Sequence, residues 1–455
     1  MSTILETKNL DPKTLLVDVN VRSDLALDTS FIASIKEHGV LVPIVAARTD
    51  DGIRVRMGHR RTQAAVEARL ETVPVVIVDS SDLEGDAADI GRILTQYAEN
   101  HHRAGLTTGD EIDIHRQLAA FGLSANQIAG KTKTSKKHVE DALIVAESPT
   151  AQKALTDNQL TLEEAAVLAE FGDDEEAVSE LILAAEDGDI DHVAQRLRDN
   201  REIERITTEE AERLTGQGFS VIEAPAYDSP SLSVNRLSAA DGNKIDKDAH
   251  TSCPGHAVYI RVRRNWNHDD DSAWTIEEGA VCTDPKGNGH TDQWGSSLRS
   301  DKKLAADMSD DEREEAKAER KRVIENNKGW DSGTEVRRAW VKTYLTRKTP
   351  SKAGTLLIAQ ALVERDESID KRWNGTVHDL IEVKRAAYGR PTLAADASPA
   401  RQQVIALATI LGGSEDSMGR HSWRAVTAGT ARYLTFLKDE GYALSDVEKL
   451  AAGIE

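Results

Sequence analysis

Gly58-His59-Arg60-Arg61, followed closely by Ala64, sets two guanidinium groups beside a glycine, and about one helix later Glu99-Asn100-His101-His102-Arg103 adds hard oxygen donors and a further guanidinium. Phosphate is the ligand these residue types suit. Arginine forks bind its oxygens in pairs, a glycine lets backbone amides come close, and Glu and Asn oxygens are ligands for Mg2+ carried by a triphosphate. A third cluster, Lys131, Lys133, Lys136, Lys137 and His138, concentrates positive charge in an otherwise acidic chain. A fourth sets Cys253 with His256 and Cys282 with His290, two sulfur and two nitrogen donors that would make a closed tetrahedral zinc site. Each cluster also has a plain alternative: a salt-bridged arginine pair, a helix end whose side chains pair with one another, a solvated lysine face, and two buried thiols beside two surface histidines.

The elements that must position these groups are legible in the hydrophobic period. Phe31, Ile32 and Ile35 share one face of a short helix that Gly39 can end, and Val40-Leu41-Val42-Pro43-Ile44-Val45 reads as an extended run. Ile53, Val55 and Met57 alternate with Arg54 and Arg56 as a half-buried strand, so the Gly58 motif falls where that strand turns into a helix through Ala64, Ala65 and Ala68. Val73 to Val78 is another strand. Ile90, Ile93, Leu94 and Tyr97 form a helical stripe, which places Glu99, Asn100 and Arg103 at the end of a buried helix. Thr108 with Glu111 reads as a capping box for a helix carrying Ile112, Leu118 and Phe121, Ser124 with Gln127 as the start of the next, and Thr134 or Ser135 as the cap of a third bearing Val139, Ala142, Leu143 and Val145. That spacing is a helix-turn-helix, whose second helix would present Lys133, Thr134, Ser135, Lys136, Lys137 and His138 to DNA.

At 455 residues and 39% hydrophobic the chain is long enough for about three domains, and its composition marks four spans. Residues 1–104 read as α/β, 105–205 as all-α, 206–300 as a small β-containing region with the Cys/His site, and 301–455 as helical, giving a multi-domain α/β plus α fold class. A net charge of −21 excludes a nucleic-acid coat over the whole surface, so any DNA contact is local. Two cysteines exclude a disulfide framework. Neither a signal-peptide pattern nor an apolar run of membrane-spanning length is evident, and the expectation is a cytoplasmic protein without a membrane partner. Asp173-Asp174-Glu175-Glu176 marks a face that should avoid DNA. In the last span, Ser309 with Glu312 caps a long helix on which Val336, Trp340, Val341, Tyr344 and Leu345 form a stripe. The flanking Arg337, Arg338, Lys342, Arg347 and Lys348 read as snorkelling side chains or a second nucleic-acid surface.

Residues 17–170 resemble the ParB family. The resemblance rests on five blocks in register: Asn20-Val21-Arg22; Ser34 to Gly39 leading to Pro43-Ile44; Gly58-His59-Arg60-Arg61-Thr62-Gln63-Ala64; Glu99 to Arg103; and the helix-turn-helix. It implies a ParB/sulfiredoxin-like N-terminal domain that binds CTP with Mg2+ and gates a dimeric clamp on DNA. By matching position, Gly58, Arg60 and Arg61 would hold the triphosphate within a motif that also contains His59 and Ala64, and Arg103 would complete the phosphate shell. Gly39 and Pro43 would lie near the base, while Glu99 and Asn100 would serve Mg2+ and any hydrolysis. His59 stands where the family commonly has Glu, which implies weak CTP hydrolysis at most. Sulfiredoxin chemistry is excluded because Met57-Gly58-His59-Arg60 supplies no cysteine. The glycine often found in the family's helix-helix turn is absent, with Lys133 near its place, and Met1 to Leu10 lacks the arginine that partition proteins use on a partner ATPase. The implied function is a site-specific DNA-binding protein, a homodimer on an inverted repeat, acting in plasmid, phage or chromosome partition with a partition ATPase and associated with nucleoid or plasmid DNA. A transcriptional regulator of the same architecture is the nearest alternative, and a ParB-like nuclease ranks third because no paired acids stand out.

Overall fold

The computed structural model describes residues 4–17, 29–49, 51–78, 86–103, 106–157, 160–225, 229–239, 242–266, 272–293, 309–364, 367–370, 376–382 and 397–454. They form two compact units, residues 1–185 and 186–455. Asn20-Val21-Arg22 lies outside the described residues.

The first unit opens with β1 (Ile4–Leu10), β2 (Leu15–Leu16), α1 (Thr29–His38), β3 (Ile44–Thr49), β4 (Gly52–Met57), α2 (His59–Glu67) and β5 (Val73–Val78). The strands make one mixed sheet of order β1-β5-β3-β4-β2, antiparallel at β1/β5 and β3/β4 and parallel at β3/β5 and β2/β4. Its core is Ile44, Ala46, Val55, Val73, Val75 and Ile77 from the strands with Ile35, Ala64 and Ala65 from the helices. Small alanines on α2 let the helix lie close to the sheet. The run expected to be extended from Val40 becomes a strand only at Ile44. Leu41 and Val42 are exposed, Pro43 has no amide to give a ladder, and Arg61 binds the carbonyls of Val42 and Pro43.

Helices follow: α3 (Asp86–Arg103), α4 (Thr108–Ala120), α5 (Ala125–Thr132), α6 (Lys136–Glu147), α7 (Pro149–Asp157), α8 (Leu162–Ala169) and α9 (Glu175–Asp187). Ile93 and Tyr97 of α3 pack with Ile114, Leu118, Ile128 and Val139 of α4 to α6, so the α3 stripe serves the helical core rather than the sheet. The capping box of α4 is Thr107 with Asp110, one residue before the expected Thr108 and Glu111. Both pairs have the spacing of a capping box. Glu111 instead lies 3.2 Å from the His138 ring, on α6.

In the second unit α10 (Ile190–Gly216) runs unbroken through residue 205, where a boundary was expected, because its side chains pack on later elements of this unit. The β region comprises β6 (Val221–Ile222), β7 (Leu232–Ser233), β8 (Leu237–Ser238), β9 (His256–Arg264), β10 (Trp274–Cys282) and β11 (Thr291–Asp292). Among them β6-β9-β10-β7 form one sheet and β11-β8 another. The long helix α11 (Asp310–Tyr344) carries the capping box Ser309 with Glu312, and α12 (Lys352–Glu364), α13 (Glu367–Asp370), α14 (Thr376–Leu380), α15 (Pro399–Ser417), α16 (Ala428–Asp439) and α17 (Asp446–Ala452) complete the unit. Val341, Tyr344 and Leu345 enter its core, as their stripe required. Arg337 does not snorkel. It is 1% exposed, held by Glu415 and Glu448. Arg338 and Arg347 are likewise paired, with Glu415 and Glu440, which removes most of the expected basic flank. Among the described residues no helix is long and apolar enough to cross a membrane.

Candidate functional site

Gly58 is the N-cap of α2 in the left-handed region, with φ 99°, where a side chain would be strained and would also press on the Arg61 guanidinium. It offers no capping side chain, so the first amides of α2 keep the anion-binding character of a helix N-terminus. The two arginines separate in role. Arg60 is exposed, with its guanidinium 5.3 Å from the centre of the Phe31 ring. Arg61 donates to Val42 O at 2.5 Å and Pro43 O at 3.0 Å, tying the loop after Gly39 to the start of α2. Gly39, with φ 70°, closes α1 through its amide to Ile35 O. His59 is buried, and Ala64 is wholly buried in the core. The backbones of Glu99, Asn100 and Arg103 lie in the last turn of α3, while their side chains lie outside the described residues.

The lysine cluster sits at the junction of α5 and α6. Lys133 caps α5 in the left-handed region, at φ 62°, where the absent glycine was expected. Ser135 caps α6, its hydroxyl accepting from the His138 amide at 3.0 Å, and Thr134 Oγ1 is 2.8 Å from Thr132 Oγ1. Lys131, Lys133, Lys136 and Lys137 are all exposed. Lys136 pairs with Glu140 at 2.8 Å, and Lys137 with Asp141 and Glu163 at 2.9 Å each. Burial acts to lower the Lys137 pKa, yet those carboxylates hold it above its ordinary value, so it stays charged. Behind α6, His115 is wholly buried against Tyr97 and His138, and burial, then His138, pushes its pKa down to about 4.

The Cys/His cluster forms where β9 begins and β10 ends, since Cys282 pairs in register with His256. The residues brought together are His250, Cys253, Cys282 and His290, with potential ligand atoms all within 4.8 Å of one another. His250, unexpected from the sequence, replaces His256 in this group. A 3-10 turn over Ala249–Ser252 carries His250 inward, whereas His256 starts a strand, and its ring meets that of His250, Nδ1 to Nδ1 at 2.8 Å. Burial lowers the pKa of both imidazoles and raises that of the Cys282 thiol. The signal for His250 was present in its position three residues before Cys253, the same separation as His256 has after it.

Residues 9–91 match the ParB N-terminal domain family model. Among curated proteins the chain is similar to the chromosome-partitioning protein Spo0J of Thermus thermophilus, 30% identical over 116 residues, which are 26% of this chain and 40% of that protein. It is also similar to the chromosome-partitioning protein ParB of Myxococcus xanthus, 30% identical over 118 residues, 26% of this chain and 38% of that protein. A probable plasmid-partitioning protein ParB of Xylella fastidiosa is 34% identical over 131 residues, 29% of each chain. The chain therefore spans no more than 40% of the length of these relatives. Two structures of the C-terminally truncated ParB of Caulobacter crescentus also match. The one complexed to the centromeric parS site has 22% identity and a TM-score of 0.29 and covers 39% of this chain and 92% of that one. The one complexed with CTP-gamma-S has 26% identity and a TM-score of 0.18 and covers 39% and 99%.

Proposed function

We propose, from the premise that residues 9–91 are a ParB N-terminal domain, that the protein is a site-specific DNA-binding protein of genome or plasmid partition whose hold on DNA is gated by CTP. The observation that carries the reading is the order of parts within one unit: that domain, with an open helix N-terminus at Gly58 and an exposed Arg60, followed directly by α5 and α6 with four exposed lysines at their junction. In an acidic protein, such a local patch is where duplex phosphate would be bound.

In this reading the triphosphate of CTP is received by the first amides of α2 and by Arg60, with Arg103 as a further phosphate ligand. Arg61 acts indirectly, by fixing the Val42 and Pro43 carbonyls. Glu99 and Asn100 are the oxygen donors assigned to Mg2+. Lys133 to His138 approach DNA, Ser135 by shaping the start of α6 and the lysines by contacting phosphate. The names of the relatives, chromosome- and plasmid-partitioning proteins, support the partition role; a homodimer on an inverted repeat, associated with nucleoid or plasmid DNA and engaging a partition ATPase, is part of the same proposal.

The test is titration of the full chain with each nucleoside triphosphate and Mg2+ by calorimetry, with and without duplexes drawn from the host replicon. CTP should bind in preference to ATP, GTP and UTP, and Arg60→Ala should abolish that binding while the fold persists by circular dichroism. Unchanged CTP affinity in the variant would refute the assignment of Arg60. A protected duplex with no strand cleavage in Mg2+ distinguishes a binding protein from a nuclease.

A further inference from the structure

We infer that His250, Cys253, Cys282 and His290 hold one zinc ion in a closed structural site, and that His256 stands outside the coordination shell and orients His250. The four residues arrive from two separate stretches of chain. His250 and Cys253 come from the 3-10 turn before β9, and Cys282 and His290 from the end of β10 and the loop after it. A tetrahedral S2N2 zinc site needs ligand atoms about 3.4–3.8 Å apart, given bonds of about 2.3 Å to sulfur and 2.0–2.1 Å to nitrogen. Cys253 Sγ and His290 Nε2 are already 3.4 Å apart. Since the whole set spans 4.8 Å, a contraction of about an ångström completes the shell.

A second observation points to the same ion. His250 is 2% exposed, and its Nε2 is a buried atom with no hydrogen-bond partner among the described residues. Such an atom costs free energy unless something satisfies it. Its Nδ1 is engaged by His256 Nδ1 at 2.8 Å, and one proton lies between them. If His250 carries that proton on Nδ1, its Nε2 lone pair faces the group as a ligand should, and His256 accepts. Metal-bound imidazoles regularly use their second nitrogen in this way. On the sulfur side, Asn288 Nδ2 points at Cys282 Sγ from 3.6 Å, a donor that favours thiolate. Gly255 has no room for a side chain, because a Cβ there would come within 2.5 Å of Asn288 Nδ2 and 2.8 Å of Cys282 Sγ.

Binding releases the two thiol protons to solvent, and Zn2+ with two thiolates and two neutral imidazoles carries no net charge. That neutrality makes a half-buried site inexpensive. With four protein ligands no position remains for substrate, so the ion is structural. The region has reason to need it: β7, β8 and β11 are two residues each, and the apolar cluster beneath them is small.

Metal analysis of the full chain, purified without chelator, should give about one zinc per chain, lost in Cys253→Ser and in His250→Gln. His256→Gln should keep the full zinc content but yield it to a competing chelator 10–100-fold more readily. Because the ligand variants can fail for want of folding, the unaltered chain loaded with Co2+ provides an independent reading. Tetrahedral ligand-field bands with thiolate-to-cobalt charge transfer are expected. Octahedral or sulfur-free spectra, or no zinc uptake from excess metal, would overturn the site. Retention of zinc in His250→Gln with its loss in His256→Gln would overturn the ligand set.

Discussion

Lys133 holds a left-handed conformation that costs an L-residue about 1–2 kcal/mol relative to glycine, part of which a glycine gives back through the flexibility of its unfolded chain. Lys133→Gly should therefore raise stability by about 0.5–1 kcal/mol in urea unfolding while weakening DNA binding, because an exposed cation is lost. A variant that is destabilised would show that the turn is not strained. His115 makes a separate prediction. Its folded pKa of about 4 lies below the ordinary 6.5, so between those values the unfolded chain binds more protons and stability falls as the pH is lowered. By pH 4 the loss should be on the order of 3 kcal/mol. The facing titratable groups are His138, Tyr97 and, beside His138, Glu111. Hydrogen exchange of α4 amides, corrected for intrinsic rates, should lose protection from pH 7 to 5 in the unaltered chain and much less in His115→Leu. Equal losses would remove His115 as the cause. The environment of His115 escapes a sequence reading, because a histidine's burial depends on which helix packs behind it.

At the scale of elements, the start of α6 carries its lysines already paired: Lys136 with Glu140, and Lys137 with Asp141 and Glu163. The pairs with Glu140 and Glu163 are exposed and worth at most about 1 kcal/mol each, so phosphate can displace them, whereas Asp141 is buried. Replacing Lys136 and Lys137 with Ala should reduce the slope of log affinity against log salt by about 1–2, since each phosphate contact contributes about 0.9. An unchanged slope would mean that neither lysine touches DNA. The helices around this point are readable from their caps: Ser124 with Gln127 stands where its spacing puts it. The cap of α4 lies one position before Thr108, and the sequence is ambiguous there because two threonines in succession each have an acid three residues on. Only the packing of Glu111 toward His138 separated them.

For the whole molecule, the second unit is organised around a charge that sequence alone would place on the surface. Arg337 is fully enclosed, donating to Glu415 and Glu448, whose other partners include Tyr433, Tyr442 and Ser445. Burial acts to lower the Arg337 pKa, but the two carboxylates hold it well above its ordinary value. Glu415 stays below the usual carboxylate range because Arg337 outweighs its burial. Arg337→Met should destabilise the protein by about 3–5 kcal/mol, since buried Glu448 would lose its guanidinium and buried Glu415 would keep only Arg338. A loss below about 1 kcal/mol in urea unfolding would show that the cluster is dispensable. The amino-acid order was sufficient for what depends on neighbours within a turn or two: strand alternation from Ile53 to Met57, most caps, the Gly58 turn and the lysine-tipped helix. Tertiary structure decided what depends on distant chain. It sent α3 to the helical core, spent Arg61 on loop carbonyls, enclosed Arg337 and chose His250 over His256 beside Cys253. The last choice shows the reason most simply: both histidines lie three residues from Cys253, and although the register of β9 with β10 sets His256 opposite Cys282, the 3-10 turn over Ala249–Ser252 is what brings His250 into the group with Cys282 and His290, which lie 32 and 40 residues further along the chain.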